Sequence, residues 1–139
     1  MRFATRAIHS GQFKVGDIQP VAPPIFQSST YVWPDIDSEP HYNYSRYQNP
    51  NREGLEETMA RLENGKFAVA FGSGMAAVAG ALSVAEAGEH VLIASDIYGG
   101  TIALGNRVLP SLAVEVSSFD PLNPDSITAA CKQNTKALI

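Results

Sequence analysis

The spacing of apolar residues changes near Asn51. Before this position, prolines and glycines interrupt the sequence, no helical period is sustained, and only residues 25–32 have the pattern of a short extended segment. We therefore predict an irregular N-terminal arm over residues 1–50. An arm without a core of its own usually packs on another surface, often that of a partner subunit. Six prolines punctuate this part of the chain: Pro20, Pro23, Pro24, Pro34, Pro40 and Pro50.

The rest of the chain has a regular pattern. Leu55, Met59 and Leu62 recur at a helical spacing, and the pair Asn64-Gly65 indicates the end of that helix. Continuous apolar runs then follow, as is typical of parallel strands that are covered on both faces. The predicted strands span residues 67–71, 91–94, 113–116 and 137–139. The predicted helices span residues 75–87, residues 101–109 and a segment from Asn123-Pro124 to about Cys131.

This alternation of strands and helices predicts the fold class. It is the pattern of an α/β fold with a mostly parallel sheet and covering helices. The last predicted strand begins where the chain stops, at Ile139. We therefore expect residues 51–139 to be an incomplete N-terminal portion of such a domain, and the chain to be a piece of a longer protein.

Composition excludes several classes of function. The formal net charge is −4 and no basic stripe occurs, so a nucleic-acid partner is not expected. No apolar run approaches the length that spans a membrane, and the N-terminus lacks the apolar segment of a secretory signal. The single cysteine, Cys131, fits a reducing, cytoplasmic compartment. The three histidines have no metal-ligand spacing, so no metal site is expected.

The stretch Gly72-Ser73-Gly74 leaves one predicted strand and opens directly into a predicted helix. Ligands of open α/β sheets bind beyond the carboxyl ends of the strands. The first amides of a helix lack internal acceptors and lie at the positive end of its dipole, and glycines let a phosphate approach them. The alternative is a tight turn in which the glycines only relieve crowding. From this loop alone the alternative is favoured.

Two further segments carry candidate binding residues. In "SDIYGGT", Tyr98 precedes two glycines and could lie over a flat ligand ring; the alternative is a half-buried tyrosine beside a flexible turn. In "YNYSRYQNPN", Tyr44 and Arg46 are two positions apart, so they share a side of an extended segment. A phenol and a guanidinium on one side could clamp a phosphate dianion, although such an arginine is more often a surface stacking contact.

Taken in order and spacing, these motifs resemble one family. The segments are "YNYSRYQNPN", "LEETMARLENG", "FGSGMAA" and "SDIYGGT", together with "FATRAIHSGQ" and "VAPPIFQSSTY" near the N-terminus. They are similar to the N-terminal part of the Cys/Met-metabolism enzymes that depend on pyridoxal phosphate, such as cystathionine γ-synthase, cystathionine γ-lyase, methionine γ-lyase and O-acetylhomoserine sulfhydrylase. The resemblance covers nearly the whole chain.

The resemblance implies a fold, a cofactor and a set of roles. The fold is the N-terminal part of the large domain of a fold-type I enzyme, and the cofactor is pyridoxal 5'-phosphate. By resemblance, the amides of Gly74 and Met75 bind the cofactor phosphate, and Tyr98, the one catalytic candidate, stacks on the pyridine ring. Tyr44 and Arg46 reach the phosphate of a neighbouring subunit's cofactor. The active sites are then shared across a homodimer, which the family often assembles into a tetramer.

The implied activity is transsulfuration of a small amino-acid substrate, by γ-elimination or γ-replacement on cystathionine or an O-acylhomoserine. Sulfhydrylation of O-acetylhomoserine and elimination from methionine remain alternatives, as does a non-catalytic remnant that binds a partner chain. The family's Schiff-base lysine, pyridine-nitrogen aspartate and carboxylate-binding arginine belong to later segments, so we expect this chain alone to be inactive.

Two positions depart from the family pattern. Asn51 replaces a threonine, and Ala103 replaces an arginine suited to a second substrate carboxylate. Ala103 weakens the expectation of a cystathionine-type substrate, whereas Arg52 and the "YGGT" segment favour it.

Overall fold

The computed structural model describes residues 2–139. The chain forms two compact units, with the boundary between Ala70 and Phe71. The first unit contains two helices, α1 (Phe3–His9) and α2 (Pro50–Leu62). The second unit contains, in chain order, α3 (Gly74–Leu82), β1 (His90–Ala94), α4 (Gly99–Ala103), β2 (Glu115–Phe119), α5 (Pro124–Ala130) and β3 (Thr135–Leu138).

Helix α1 shows that one prediction was wrong, because the sequence analysis predicted no helix before Asn51. The helix has no buried residue, and its large apolar side chains Phe3 and Ile8 remain exposed, so no apolar stripe marks it in the sequence. Its attachment to α2 is polar instead. The Arg6 guanidinium donates to the Arg61 carbonyl at 2.6 Å and to Asn64 Oδ1 at 2.6 Å.

Helix α2 confirms the predicted stop signal, and its start carries a signal that the sequence analysis did not use. Proline occupies its first turn, where a missing amide hydrogen has no effect on the helix ladder. Beyond its last turn, Asn64 adopts the left-handed conformation with φ of 56°, and the Gly65 amide bonds back to the Ala60 carbonyl at 2.8 Å. This is the usual way in which a helix terminates.

The predicted extended segment at residues 25–32 is reduced to one isolated antiparallel bridge, between Thr30 and Tyr44. Outside α1 the arm is therefore irregular, as predicted, and it is held by side-chain bonds and a few backbone hydrogen bonds, such as that from the Ser45 amide to the Ser29 carbonyl at 2.9 Å. We predicted that residues 1–50 contact a partner subunit and that residues 51–139 belong to the cofactor-binding domain. This division stays a prediction.

The predicted buried strand at residues 67–71 is wrong. No strand among the described residues pairs with it, and Phe67 and Val69 are 80% and 62% exposed. A strand needs a neighbour for its backbone groups. A side-chain bond to this segment comes from α2, where Glu56 Oε1 accepts from the Ala70 amide at 2.8 Å.

The sheet of the second unit is parallel, as predicted, with the strand order β2-β1-β3. The central strand β1 is the most buried, because helices cover it and strands flank it on both sides. Its Val91 and Ile93 join Leu82 of α3 and Val114 in the core of this unit. Both neighbours run parallel to β1, so all carboxyl ends lie at one edge of the sheet, where ligands bind in this architecture.

Several element boundaries differ from the prediction, three of them by two residues or more at a point where the structure shows the shift clearly. Helix α3 ends at Leu82 and not at residue 87, because Ser83 closes the last turn: its Oγ donates to the Gly80 carbonyl at 2.7 Å. Strand β2 begins two residues late, because Ala113 has a left-handed φ of 59° that closes the preceding turn. Strand β3 begins two residues early.

The helix predicted at residues 101–109 begins at Gly99 and changes its form along its length. After α4 it continues as a π-helical turn (Leu104–Val108) and then as a 3-10 turn (Leu109–Leu112). Pro110 does not end the helical run, because it lies in the first turn of the new 3-10 segment, where its missing hydrogen has no acceptor to lose. Among residues 2–139, no helix has the length and apolarity needed to cross a membrane.

The buried position of His90, at the start of β1, indicates that the stability of the fold depends on pH. Its side chain is fully buried, its Nδ1 lies 2.8 Å from Thr135 Oγ1, and its Nε2 has no hydrogen-bond partner among residues 2–139. Burial, and then the nearby Lys132 ammonium, lower the pKa of His90, whereas the Glu115 carboxylate opposes the shift. The unfolded state therefore takes up a proton at a higher pH than the folded state does.

We expect the free energy of unfolding, measured by urea denaturation, to fall as the pH drops below the ordinary histidine pKa of about 6.5. His90→Asn should lower the stability at neutral pH and flatten this dependence. His9→Asn, at an exposed position, is the matched control and should leave the dependence intact. Equal pH dependences in all three proteins would contradict this account of His90.

Candidate functional site

The N-terminus of α3 presents two amides without acceptors. Ser73 caps the helix: its backbone is extended and its Oγ accepts from the Ala76 amide at 3.2 Å. The amides of Gly74 and Met75 precede this capped position, and no acceptor for them occurs among the described residues. Because these amides lie at the positive end of a nine-residue helix, they can bind an anion.

The glycines of this loop do not relieve crowding. Within residues 2–139, a Cβ added at Gly72 or Gly74 would meet no atom within 4 Å, and neither residue has a positive φ. The alternative of a tight turn that needs glycine is therefore not favoured by the structure. Open space around the backbone is what an approaching phosphate requires.

Tyr98 lies just beyond the carboxyl end of β1 and immediately before α4. Its side chain is 71% exposed, so the alternative of a half-buried tyrosine does not hold. Its carbonyl accepts from the Thr101 amide at 2.9 Å, which places the residue at the N-cap of α4. A ring held at a helix start and open to solvent on most of its surface can stack on a flat ligand.

Side chains connect the Tyr98 loop to the start of α3. A Cβ added at Gly100 would lie 2.6 Å from Tyr98 Cε1 and 2.8 Å from Met75 Sδ, so both side chains contact this glycine. The Thr101 hydroxyl donates to Met75 Sδ at 3.9 Å from a fully buried position. The structure therefore brings two of the predicted binding residues, Met75 and Tyr98, to one place.

Tyr44 and Arg46 also lie together, in the first unit. The guanidinium carbon of Arg46 is 4.3 Å from the centroid of the Tyr44 ring. The predicted reason was an extended backbone, but the chain turns at Ser45 and Arg46 folds back over the ring. Arg46 forms no ion pair within residues 2–139, so its charge is available to an anionic ligand.

Sequence reasoning missed the residues that hold this tyrosine–arginine pair. Arg52, in the first turn of α2, donates from Nη1 to the Arg46 carbonyl at 3.3 Å and from Nη2 to the Tyr47 carbonyl. Its Nε lies 3.6 Å from Glu56 Oε1, which orients the guanidinium from the other side. We call these contacts of Arg52 the clamp. Its signal in the sequence is an arginine two positions after Pro50, the proline that starts α2.

Two asparagines beside Arg52 also form side-chain hydrogen bonds to the arm. Asn49 caps α2 through Oδ1, which accepts from the Asn51 amide at 2.9 Å, and its Nδ2 donates to Ser45 Oγ at 3.2 Å. Asn51, the position that departs from the family pattern, accepts from the Phe26 amide at 2.7 Å and donates to the Pro24 carbonyl at 2.6 Å. Its carboxamide thus bonds a donor and an acceptor of the arm at once.

A cleft of about 230 Å³ lies beside Arg52, and Glu53 is one of the residues that line it. The Tyr42 hydroxyl and His41 Nε2 both lie within hydrogen-bond distance of Glu53 Oε2. These bonds, first that from Tyr42 and then that from His41, lower the pKa of Glu53. Burial and the same bond raise the pKa of Tyr42. The carboxylate therefore stays charged and fixes the arm just before Tyr44.

A comparison with protein families gives a match over residues 4–139, to the family described as Cys/Met metabolism PLP-dependent enzyme. A relative in Herpetosiphon aurantiacus, named "Probable cystathionine gamma-synthase", is 38% identical over 98% of this chain and 43% of its own length. The cystathionine beta-lyase of Lactococcus lactis subsp. cremoris strain MG1363 is 40% identical over 96% of this chain and 35% of its own length.

Solved structures show the same fold. A Campylobacter jejuni protein assigned as an O-acetylhomoserine (thiol)-lyase superposes with a TM-score of 0.86 at 31% identity, over 99% of this chain and 36% of that chain. Its crystal structure contains N'-pyridoxyl-lysine-5'-monophosphate. The present chain therefore spans between about a third and two fifths of the proteins it resembles.

The anion site can be tested at Ser73 with three substitutions. Ser73→Ala removes the helix cap and should lower the free energy of unfolding by about 1 kcal/mol. Ser73→Asn and Ser73→Asp keep the cap, but aspartate adds a negative charge beside the free amides. We expect asparagine to retain the affinity for inorganic phosphate and aspartate to weaken it roughly tenfold, measured by ³¹P NMR titration. Equal phosphate affinity of the two variants would contradict an anion site here.

Proposed function

Since this chain belongs to the family of Cys/Met-metabolism PLP-dependent enzymes, we propose that it is the cofactor-phosphate-binding part of an enzyme of sulfur amino-acid metabolism. The observation that carries the proposal is the start of α3: two amides without acceptors, a capping serine and a stacking tyrosine anchored beside them. The activity itself is proposed for the whole protein, of which this chain spans only a part.

The residues present fit pyridoxal phosphate. Its phosphate needs donors and space, which the amides of Gly74 and Met75 and the open loop supply. Its ring needs an exposed aromatic partner, which is Tyr98. When bound, the cofactor supplies an electron sink for carbanion chemistry. The work of this chain is to bind the phosphate and to orient the ring, and no proton-transfer group is proposed for it.

We place the reaction among γ-eliminations and γ-replacements on cystathionine or an O-acylhomoserine. The names of the relatives support this class, although they also include a β-lyase. Exposed Ala103, at the end of α4, offers no cation to a second substrate carboxylate. O-Acetylhomoserine sulfhydrylation and methionine γ-elimination therefore remain in competition. Assay of the complete protein against cystathionine, methionine and O-acylhomoserines distinguishes these reactions, and turnover of none of them would contradict the proposal.

We propose further that Tyr44 and Arg46 act on the cofactor of a partner subunit, within a cytoplasmic homodimer or tetramer with shared active sites. Arg46 has no carboxylate partner within residues 2–139, and its backbone carbonyl is clamped by Arg52. A guanidinium that is held by its backbone and has no ion pair is suited to a phosphate dianion.

Hybrid dimers test the action in trans. In the complete enzyme, Arg46→Ala should weaken cofactor retention, because a charge-assisted phosphate contact is lost. Subunits with Arg46→Ala are mixed with subunits that lack the family's cofactor-linking lysine, and activity is measured in verified hybrids. One site of each hybrid then combines an intact arm with an intact lysine, so part of the activity should return. The absence of any recovery would favour a role in cis.

Substitutions at Tyr98 test the stacking role. Tyr98→Phe keeps the ring and should retain most of the affinity for pyridoxal phosphate. Tyr98→Ala removes the ring and should weaken binding roughly fivefold or more, since an aromatic pair adds on the order of 1 kcal/mol beyond its buried area. Cofactor dissociation constants are measured by fluorescence titration. If phenylalanine binds as poorly as alanine, the hydroxyl and not the ring makes the main contact.

A further inference from the structure

The side chain of Met75 has a contact that its proposed role as an amide donor does not require. The thioether sulfur extends from the start of α3 to the start of α4, where it approaches Gly100 and Thr101. Methionine packs well in such irregular gaps because its thioether is flexible and polarizable.

The side chains of Tyr98 and Met75 meet at the backbone of Gly100. An ideal Cβ at this position would lie 2.6 Å from Tyr98 Cε1 and 2.8 Å from Met75 Sδ, and both distances are shorter than real Cβ contacts. The glycine therefore lets the tyrosine ring edge and the methionine sulfur approach the same stretch of backbone. Its neighbour Gly99 has no atom within 4 Å of an added Cβ, so the crowding is specific to one of the two adjacent glycines.

Thr101 also contacts the sulfur. The residue is 1% exposed, and its hydroxyl donates to Met75 Sδ at 3.9 Å. Its backbone amide bonds to the Tyr98 carbonyl at 2.9 Å, so the same residue also fixes the backbone that carries the ring. Thr101 thus contacts both the anion-binding loop and the stacking residue.

We infer that Met75, Gly100 and Thr101 form a spacer that sets the position of the Tyr98 ring relative to the first amides of α3. This inference rests on the proposed function, because the two ends of the spacer are the proposed phosphate and ring sites. The spacer makes the site selective for a ligand whose phosphate and flat ring are joined by a short link. Ligands that use only one end, such as inorganic phosphate, do not depend on it.

The test compares two affinities in the complete, assembled protein. Pyridoxal phosphate uses both ends of the site, whereas inorganic phosphate uses one and serves as the second probe. Gly100→Ala adds a methyl group against the Tyr98 ring and Met75. We expect it to weaken pyridoxal phosphate binding about tenfold while changing phosphate affinity less than twofold, because overpacking displaces the ring. The circular dichroism of the bound cofactor should change as well.

Gly105→Ala is the matched control. An added Cβ at Gly105 would lie 2.4 Å from Ile93 Cδ1, so the same chemical change crowds the core and not the site. This variant should lower the melting temperature and leave the ratio of the two affinities unchanged. A merely structural role for Gly100 would make the two variants behave alike, with a lower melting temperature and an unaltered ratio, and would overturn the inference.

Thr101 provides a second test if Gly100→Ala fails to fold. Thr101→Ser keeps the hydroxyl that bonds the sulfur, whereas Thr101→Val keeps the shape and removes the donor. Serine should preserve the ratio of affinities, and valine should lower it by weakening pyridoxal phosphate binding alone. Equal ratios in both variants would overturn the inference. If the unaltered protein binds pyridoxal phosphate no better than phosphate, the proposed function itself fails, and this outcome is separate from the others.

Discussion

The two amides at the start of α3 that have no acceptor within residues 2–139 are the constraint around which the proposed site is arranged. A helix leaves its first amides unpaired, and here Ser73 satisfies the Ala76 amide while those of Gly74 and Met75 have no acceptor among the described residues. An anion is the natural partner of such a helix end, since the dipole and the donors favour the same charge. We propose that this anion is the phosphate of the cofactor, for which the helix start would be the attachment point.

The parallel sheet explains why Tyr98 lies near the start of α3. Strand β1 is buried between two parallel neighbours, and its carboxyl end is followed directly by the loop that carries Tyr98. Met75 contacts Gly100 and bonds Thr101, which joins the loop to the helix start. The first unit uses a different principle, because Asn49, Asn51 and Arg52 hold its irregular backbone through side-chain hydrogen bonds.

The sequence predicted those features that depend on strong local signals. Helical spacing and the Asn64-Gly65 stop identified α2, an asparagine cap followed by proline identified α5, and continuous apolar runs identified the three parallel strands. Features that depend on tertiary contacts were not predicted from the sequence. Helix α1 is attached by Arg6 and not by an apolar stripe, and residues 67–71 have a strand pattern without a strand partner in the described chain. The contact of Gly100 with Met75 joins residues 25 positions apart, which no local pattern reveals.

The central claim is that the amides of Gly74 and Met75 bind the cofactor phosphate, and NMR observes these two groups directly. The chain contains 11 glycines and 3 methionines, so selective ¹⁵N labelling of both residue types gives a spectrum that can be assigned. On titration with pyridoxal phosphate, the account predicts that the amide protons of Gly74 and Met75 shift downfield together, and that inorganic phosphate reproduces the shift. Shifts confined to other labelled residues, with these two amides unchanged, would contradict it.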